Sequence, residues 1–96
     1  MLKHIVFIKF NAAVTTSDIE ELKLGLGGLP AVIPEIKGFE FGPDILHTER
    51  SWDFALVSTF ENADAMKRYQ VNPDHQVVLQ KVRAMSEILA VVDFNF

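Results

Sequence analysis

An α+β domain built on one four-stranded antiparallel sheet is the fold class this sequence predicts, and three features of the chain predict it. Apolar runs of period two alternate with apolar stripes of helical period in the order β-α-β-β-α-α-β. The first and last strands are apolar on both faces, and Gly, Pro and Asn punctuate the boundaries.

The first strand is Leu2 to Phe10, where Leu2, His4, Val6, Ile8 and Phe10 share one face and Lys3, Ile5, Phe7 and Lys9 the other. A helix follows, with Ser17 as N-cap and Glu20 closing a capping box, and with Ile19, Leu22, Leu26 and Leu29 as its apolar stripe. Gly25, Gly27 and Gly28 weaken its end, and Pro30 and Pro34 mark a loop. The second strand runs from Ile36 to Phe41, with Phe39 and Phe41 on one face, and Gly42-Pro43-Asp44 closes it. After a polar loop from Ile45 to Ser51, the third strand runs from Trp52 to Phe60, Phe54, Leu56, Ser58 and Phe60 opposing Ala55, Val57 and Thr59. Asn62 caps a short helix bearing Ala65, Met66 and Tyr69, and Asn72-Pro73 starts another, Pro73 standing where a missing N–H costs nothing. His75, Val78, Val82 and Met85 form that helix's stripe, and Ile88 to Phe94 is the last strand. The order is that of a ferredoxin-like fold, read as a single domain over residues 1–96.

Composition narrows the function. The chain has 96 residues, 49% hydrophobic and 23% charged, which is enough for a globular core. Net charge is −4 and no basic cluster exceeds Lys67-Arg68, so no nucleic-acid partner is expected. There is no cysteine, hence no disulfide or thiolate chemistry, in keeping with a reducing compartment. Neither a secretory leader nor a membrane span is expected, and the reading is a soluble cytoplasmic protein without membrane attachment.

Helices of this number cover only one face of a four-stranded sheet. The other would expose Ile5, Phe7, Ala55, Val57, Ala90, Val92 and an aromatic from the second strand. Burying each large apolar side chain contributes about 1.5–3 kcal/mol, so a homodimer that buries this face, closing a dimeric α/β barrel, is expected.

The segment Tyr69-Gln70-Val71-Asn72-Pro73-Asp74-His75 holds the candidate catalytic residues, Tyr69 and His75. His75 falls near the positive end of a helix, which disfavours imidazolium and leaves a neutral base. A phenol in reach would donate to a carbonyl while the imidazole removes a proton from carbon. Leu22, Leu26 and Val78 on the helices, with His4, Val6, Ile8 and Leu56 on the sheet, are the expected pocket residues. A second reading stands beside this one: the pair hydrogen-bonds each other or the backbone and simply pins two helices, and His4 is a satisfied core histidine. Gly25-Leu26-Gly27-Gly28 follows a helix and lacks the spacing of a phosphate loop, and His4, His47 and His75 lack metal-ligand spacing, so no metal and no cofactor is expected.

Three segments together, Lys3 to Phe10, Asp53 to Phe60 and Tyr69 to His75, resemble the stress-responsive A/B barrel domain family over essentially the whole chain, the Tyr-x-x-x-Pro-x-His element being the most specific part. The resemblance implies a ferredoxin-like protomer and a dimeric α/β barrel. It also implies, as one activity, cofactor-free aldol closure of a linear polyketide by a Tyr/His pair matching Tyr69 and His75, with His4 matching a pocket histidine. Leu26 stands where that chemistry uses a second tyrosine, and Met85 lies near the place of a tryptophan, which points to a different substrate. The alternative is a non-catalytic, stress-associated protein whose assembly is its function. Heme-using barrels of similar architecture fit less well, because no residue is singled out as a heme ligand.

Overall fold

The computed structural model describes residues 1–96. In chain order the elements are β1 (Leu2–Phe10), α1 (Thr16–Gly27), α2 (Leu29–Val32), β2 (Gly38–Pro43), β3 (Phe54–Phe60), α3 (Ala63–Val71), α4 (Pro73–Met85) and β4 (Ser86–Asn95). The strands form one antiparallel sheet in the order β2-β3-β1-β4, and the helices lie on one side of it, giving the ferredoxin-like fold.

Strand register sorts the residues into two faces. Cross-strand partners share a face, so Phe39–Ser58–His4–Asp93, Phe41–Leu56–Val6–Val91 and Pro43–Phe54–Ile8–Leu89 are rows on the helix side. Ile8, Phe54, Leu56 and Phe60 pack there with Leu22, Leu26, Leu29, Ile33, Ala65, Tyr69, Val82 and Met85 into one buried core. The opposite face carries Glu40–Val57–Ile5–Val92 and Gly42–Ala55–Phe7–Ala90. The six residues expected on the open face therefore lie there, with Phe7 37% and Val92 54% exposed. No aromatic from β2 joins them: Phe39 and Phe41 both turn to the core, and β2 offers Gly38, Glu40 and Gly42 to the open side.

Several boundaries differ from the sequence expectation. The N-cap of α1 is Thr15, not Ser17. Its hydroxyl accepts from the Asp18 N–H at 3.2 Å, and the Asp18 carboxylate accepts from the Thr15 N–H at 2.9 Å. The chain holds two overlapping boxes, and the one used starts the helix two residues earlier; its hydrogen bonds hold the Asp18 carboxyl below the usual range. Residues Leu29–Val32 form a single helical turn rather than a loop, with Pro30 in the first turn, where its missing N–H costs nothing. β2 begins at Gly38 because the Ile36 N–H donates to the Ile33 carbonyl in a turn, and β3 begins at Phe54. β4 starts at Ser86, directly after α4, and its pairing with β1 shifts register between Lys9 and Phe10. Gly25 has a packing role besides: a Cβ there would come within 3.4 Å of the Val78 side chain, so α1 and α4 approach closely at that point.

The cap assignment makes a prediction. Thr15→Ala is expected to cost about 1 kcal/mol of stability and Ser17→Ala only a few tenths, measured by urea unfolding. Equal effects, or the reverse order, would restore Ser17 as the cap.

Candidate functional site

The helices roof β2, β3 and β1 but leave the edge strand β4 poorly covered even on their own side, where Leu89 and Val91 are 39% and 51% exposed. The gap between α3–α4 and the β1–β4 half of the sheet is a cavity of about 410 Å³, within the range of small-molecule sites. Its floor is His4, Val6, Ile8, Leu56, Leu89 and Val91, and its roof includes Leu26, Tyr69, His75, Val78, Leu79 and Arg83. A second hollow of about 450 Å³ lies on the open face, beside Phe7, Asp44, Arg50 and Trp52. It holds no imidazole or phenol, so the chemistry concentrates in the first.

Tyr69 and His75 meet here because a cap separates their helices. Asn72 ends α3 and begins α4, its side-chain oxygen accepting from the Asp74 N–H at 2.9 Å. Pro73 occupies the first turn of α4, and the two rings come to 4.2 Å between centroids at 45°. They touch through their faces and edges rather than through a hydrogen bond. The phenol is 1% exposed and packs against Phe60 as well, and burial pushes its pKa well above the ordinary value. It therefore stays protonated and able to donate. Every shut-off side-chain polar atom has a hydrogen-bond partner, and the Tyr69 hydroxyl makes no bond within the chain, so it opens onto the cavity.

The His75 imidazole is oriented by backbone. Its Nδ1 lies 3.1 Å from the Gln70 carbonyl oxygen, and a carbonyl only accepts, so Nδ1 carries the proton. In the neutral ring Nε2 is then the free lone pair. Burial lowers the His75 pKa, opposed by that Gln70 bond and reinforced by the positive fields of His4 and Arg83. The outcome is the neutral base that the sequence reading expected, with burial as the leading cause.

His4 is held differently. Its Nδ1 pairs with the Asp93 carboxylate directly across the β1–β4 ladder, and its backbone carbonyl accepts from the buried Ser58 hydroxyl at 3.1 Å. His4 thus lines the cavity floor with a carboxylate partner standing beside it. Chemically, the arrangement assembles a neutral imidazole acceptor, a phenol donor and a second, carboxylate-bound imidazole around an apolar space.

Of the expected pocket residues, His4, Val6, Ile8, Leu26, Leu56 and Val78 line the cavity together with Tyr69 and His75. Leu22 does not; it is 0% exposed and packed in the sealed core. Sequence reasoning missed Asp93 and Arg83. Asp93 had a signal, being the one charge in the run Ile88 to Phe94, and Arg83 stands eight residues beyond His75 on the same helical row. His47 lies in the exposed loop, far in sequence and setting from the other two histidines, and adopts a left-handed backbone with φ 52°. No three His, Cys, Asp or Glu side chains gather as a metal set, and no helix is long and apolar enough to cross a membrane.

Comparison with known proteins places this geometry. The model of the stress responsive A/B barrel domain matches residues 2–96. A stress-response A/B barrel domain-containing protein, HS1, of Arabidopsis thaliana is 30% identical over 76 residues, covering 77% of this chain and 70% of that protein. Olivetolic acid cyclase of Cannabis sativa is 25% identical over 96 residues, covering 98% of this chain and 95% of the cyclase. Among solved structures, a dimeric ferredoxin-like protein of unknown function from Thermobifida fusca superposes with a TM-score of 0.92 at 33% identity, covering 99% of this chain and 90% of that one. The chain belongs to the stress-responsive A/B barrel domain family.

Proposed function

We propose that this protein binds, and converts without a cofactor, a small apolar carbonyl compound in the cavity beneath α3 and α4. One observation carries the proposal. The Nδ1–H of His75 is tied to the Gln70 carbonyl, which leaves Nε2 as the acceptor in the same cavity as the unpaired Tyr69 hydroxyl. In this reading the Tyr69 hydroxyl donates to the substrate carbonyl oxygen and draws electron density from the adjacent C–H. His75 Nε2 takes that proton, and the enolate carbon attacks a second carbonyl of the same molecule. The new alkoxide oxygen then recovers the proton from the imidazolium, and His4, held by Asp93, is the second group placed to shuttle it. The relative named olivetolic acid cyclase supports this class of reaction. Leu26, where the resemblance implies a second tyrosine for that chemistry, lines the roof here, which supports a different substrate.

A second copy covering the open sheet face belongs to the same reading. The Val57–Ile5–Val92 and Ala55–Phe7–Ala90 rows form an apolar patch that a monomer leaves in water, and the Thermobifida fusca relative is described as dimeric. The cysteine-free sequence is the ground for placing the protein in the cytoplasm. A purely structural, stress-associated role for the assembly draws on that same patch and is the competing reading.

Three experiments test these points. With 2-nonanone as probe in heavy water, the wild-type protein is expected to speed exchange of the α-protons. His75→Ala should return the rate to background and Tyr69→Phe should lower it about 100-fold. No acceleration over free imidazole by the wild type would favour the structural reading. Val57→Lys places a charge at the centre of the open face and is expected to give monomer or aggregate by sedimentation, whereas His75→Ala leaves assembly intact; a dimeric Val57→Lys protein would refute the interface. The third concerns pH. Because the folded state lowers the His75 pKa below the ordinary 6.5, the unfolded chain binds the extra proton first as pH falls. The stability tied to the neutral ring is complete above that value and lost as pH drops towards the depressed one. Thermal midpoints from about pH 7.5 to about pH 5 should therefore fall more steeply for wild type than for His75→Gln. Parallel curves would mean that His75 is solvated like a surface histidine.

A further inference from the structure

The charge of the cavity narrows the substrate class. Apart from the histidines, Arg83 is the one ionisable cation among the lining residues, and no carboxylate lines the space. The Asp93 carboxylate stands beside the floor, on the same side of the sheet, and is engaged by His4. The other arginine of the helical layer, Arg68, is paired with Glu35 at 3.2 Å, and Lys81 on α4 with Glu21 at 2.6 Å, whereas Arg83 enters none of the chain's ion pairs. His75, Leu79 and Arg83 are spaced i, i+4, i+8 and all three line the cavity, so they form one inclined row along its roof. Side chains on a helix lean towards its N-terminus, so a guanidinium starting about 12 Å along the axis from His75 reaches back over the mouth. Its field is felt at the imidazole, which agrees with that placement.

An unpaired guanidinium at the rim of an otherwise apolar cavity is a receptor for a planar anion, and a carboxylate matches its fork with two parallel hydrogen bonds. We infer that the compound accepted by this site is an amphipathic oxo acid. Its carboxylate is held by Arg83 at the mouth, its hydrocarbon chain lies over Val6, Leu89 and Val91, and the first of its two oxo groups, several methylenes away, faces Tyr69 and His75, the second being the carbonyl that the enolate attacks. This inference rests on the carbonyl-binding reading above and specifies which carbonyl compounds that site takes. It also gives direction: the charged end stays at the water-facing rim, and the reacting carbon enters first.

The test uses 5-oxodecanoate and its methyl ester, which share chain and ketone and differ in the charge, with binding followed by calorimetry and by the His75 ring resonances. Wild-type protein is expected to bind the acid about tenfold more tightly than the ester. Arg83→Gln should remove that preference by weakening the acid alone, Arg83→Lys should restore part of it, and Arg68→Gln, which removes a charge away from the cavity, should leave it intact. Equal affinity of wild type for acid and ester, or a preference that survives Arg83→Gln, would overturn the oxo-acid assignment while ester binding at His75 upholds the pocket. If neither compound binds, the carbonyl-binding reading falls and this inference with it.

Discussion

A single layer of helices lies over a sheet whose strands are apolar on both sides, and every functional feature of the molecule follows from that mismatch. The helix layer closes over β2, β3 and β1, where Phe54, Phe60, Leu22 and Ile33 are sealed from solvent. It does not close over β4, the edge strand, which is hydrogen-bonded to β1 alone. On the helix side the shortfall is a cavity. On the far side it is a continuous apolar surface around Ile5, Phe7 and Val57. Both are departures from close packing, and an apolar space is kept open against collapse only where rigid walls surround it. Here the walls are the sheet itself and two helices fixed end to end by Asn72.

Within that space, polar groups are tolerated because each is provided for. The His75 proton is bonded to Gln70, the His4 ring to Asp93, and the Ser58 hydroxyl to the His4 carbonyl. What is left over is acceptor capacity at His75 and donor capacity at Tyr69, both turned to the cavity. A histidine and a tyrosine serving only to pin two helices would bond each other or the backbone, and the His75–Gln70 bond is of the second kind. Beyond that bond the pair has unspent capacity, since the rings touch without a mutual hydrogen bond.

Much of this was legible in the residues. Period two assigns face by parity, so Ile5, Phe7, Val57 and Val92 could be placed on the open side without knowing the strand order. The Asn72-Pro73 signal fixed the junction that brings Tyr69 to His75 because capping chemistry is local. The misses have physical causes of their own. Ser17 and Thr15 head overlapping boxes, and local sequence does not decide between a helix and the same helix two residues longer. Leu22 and Leu26 share one stripe, but a stripe specifies the face of a helix, not whether a given turn meets the sealed core or the cavity. Phe39 and Phe41 alternate correctly, yet which side of the sheet they join depends on the pairing of Phe41 with Leu56, a long-range fact. Asp93 was hidden by its neighbours: an apolar run invites a reading for burial, and its partner lies 89 positions away in the chain.

That last pair shows why site and surface are not independent. Alternate residues of β4 point opposite ways: Leu89, Val91 and Asp93 towards the helix side, Ala90, Val92 and Phe94 towards the open face. One strand, secured on a single side, is therefore at once the outer wall of the pocket and the margin of the exposed patch. Any body that settles on Val92 and Phe94 presses on the backbone that aims Asp93 at His4. The His4 ring is steered from that strand, so the cavity floor and the open face share one backbone.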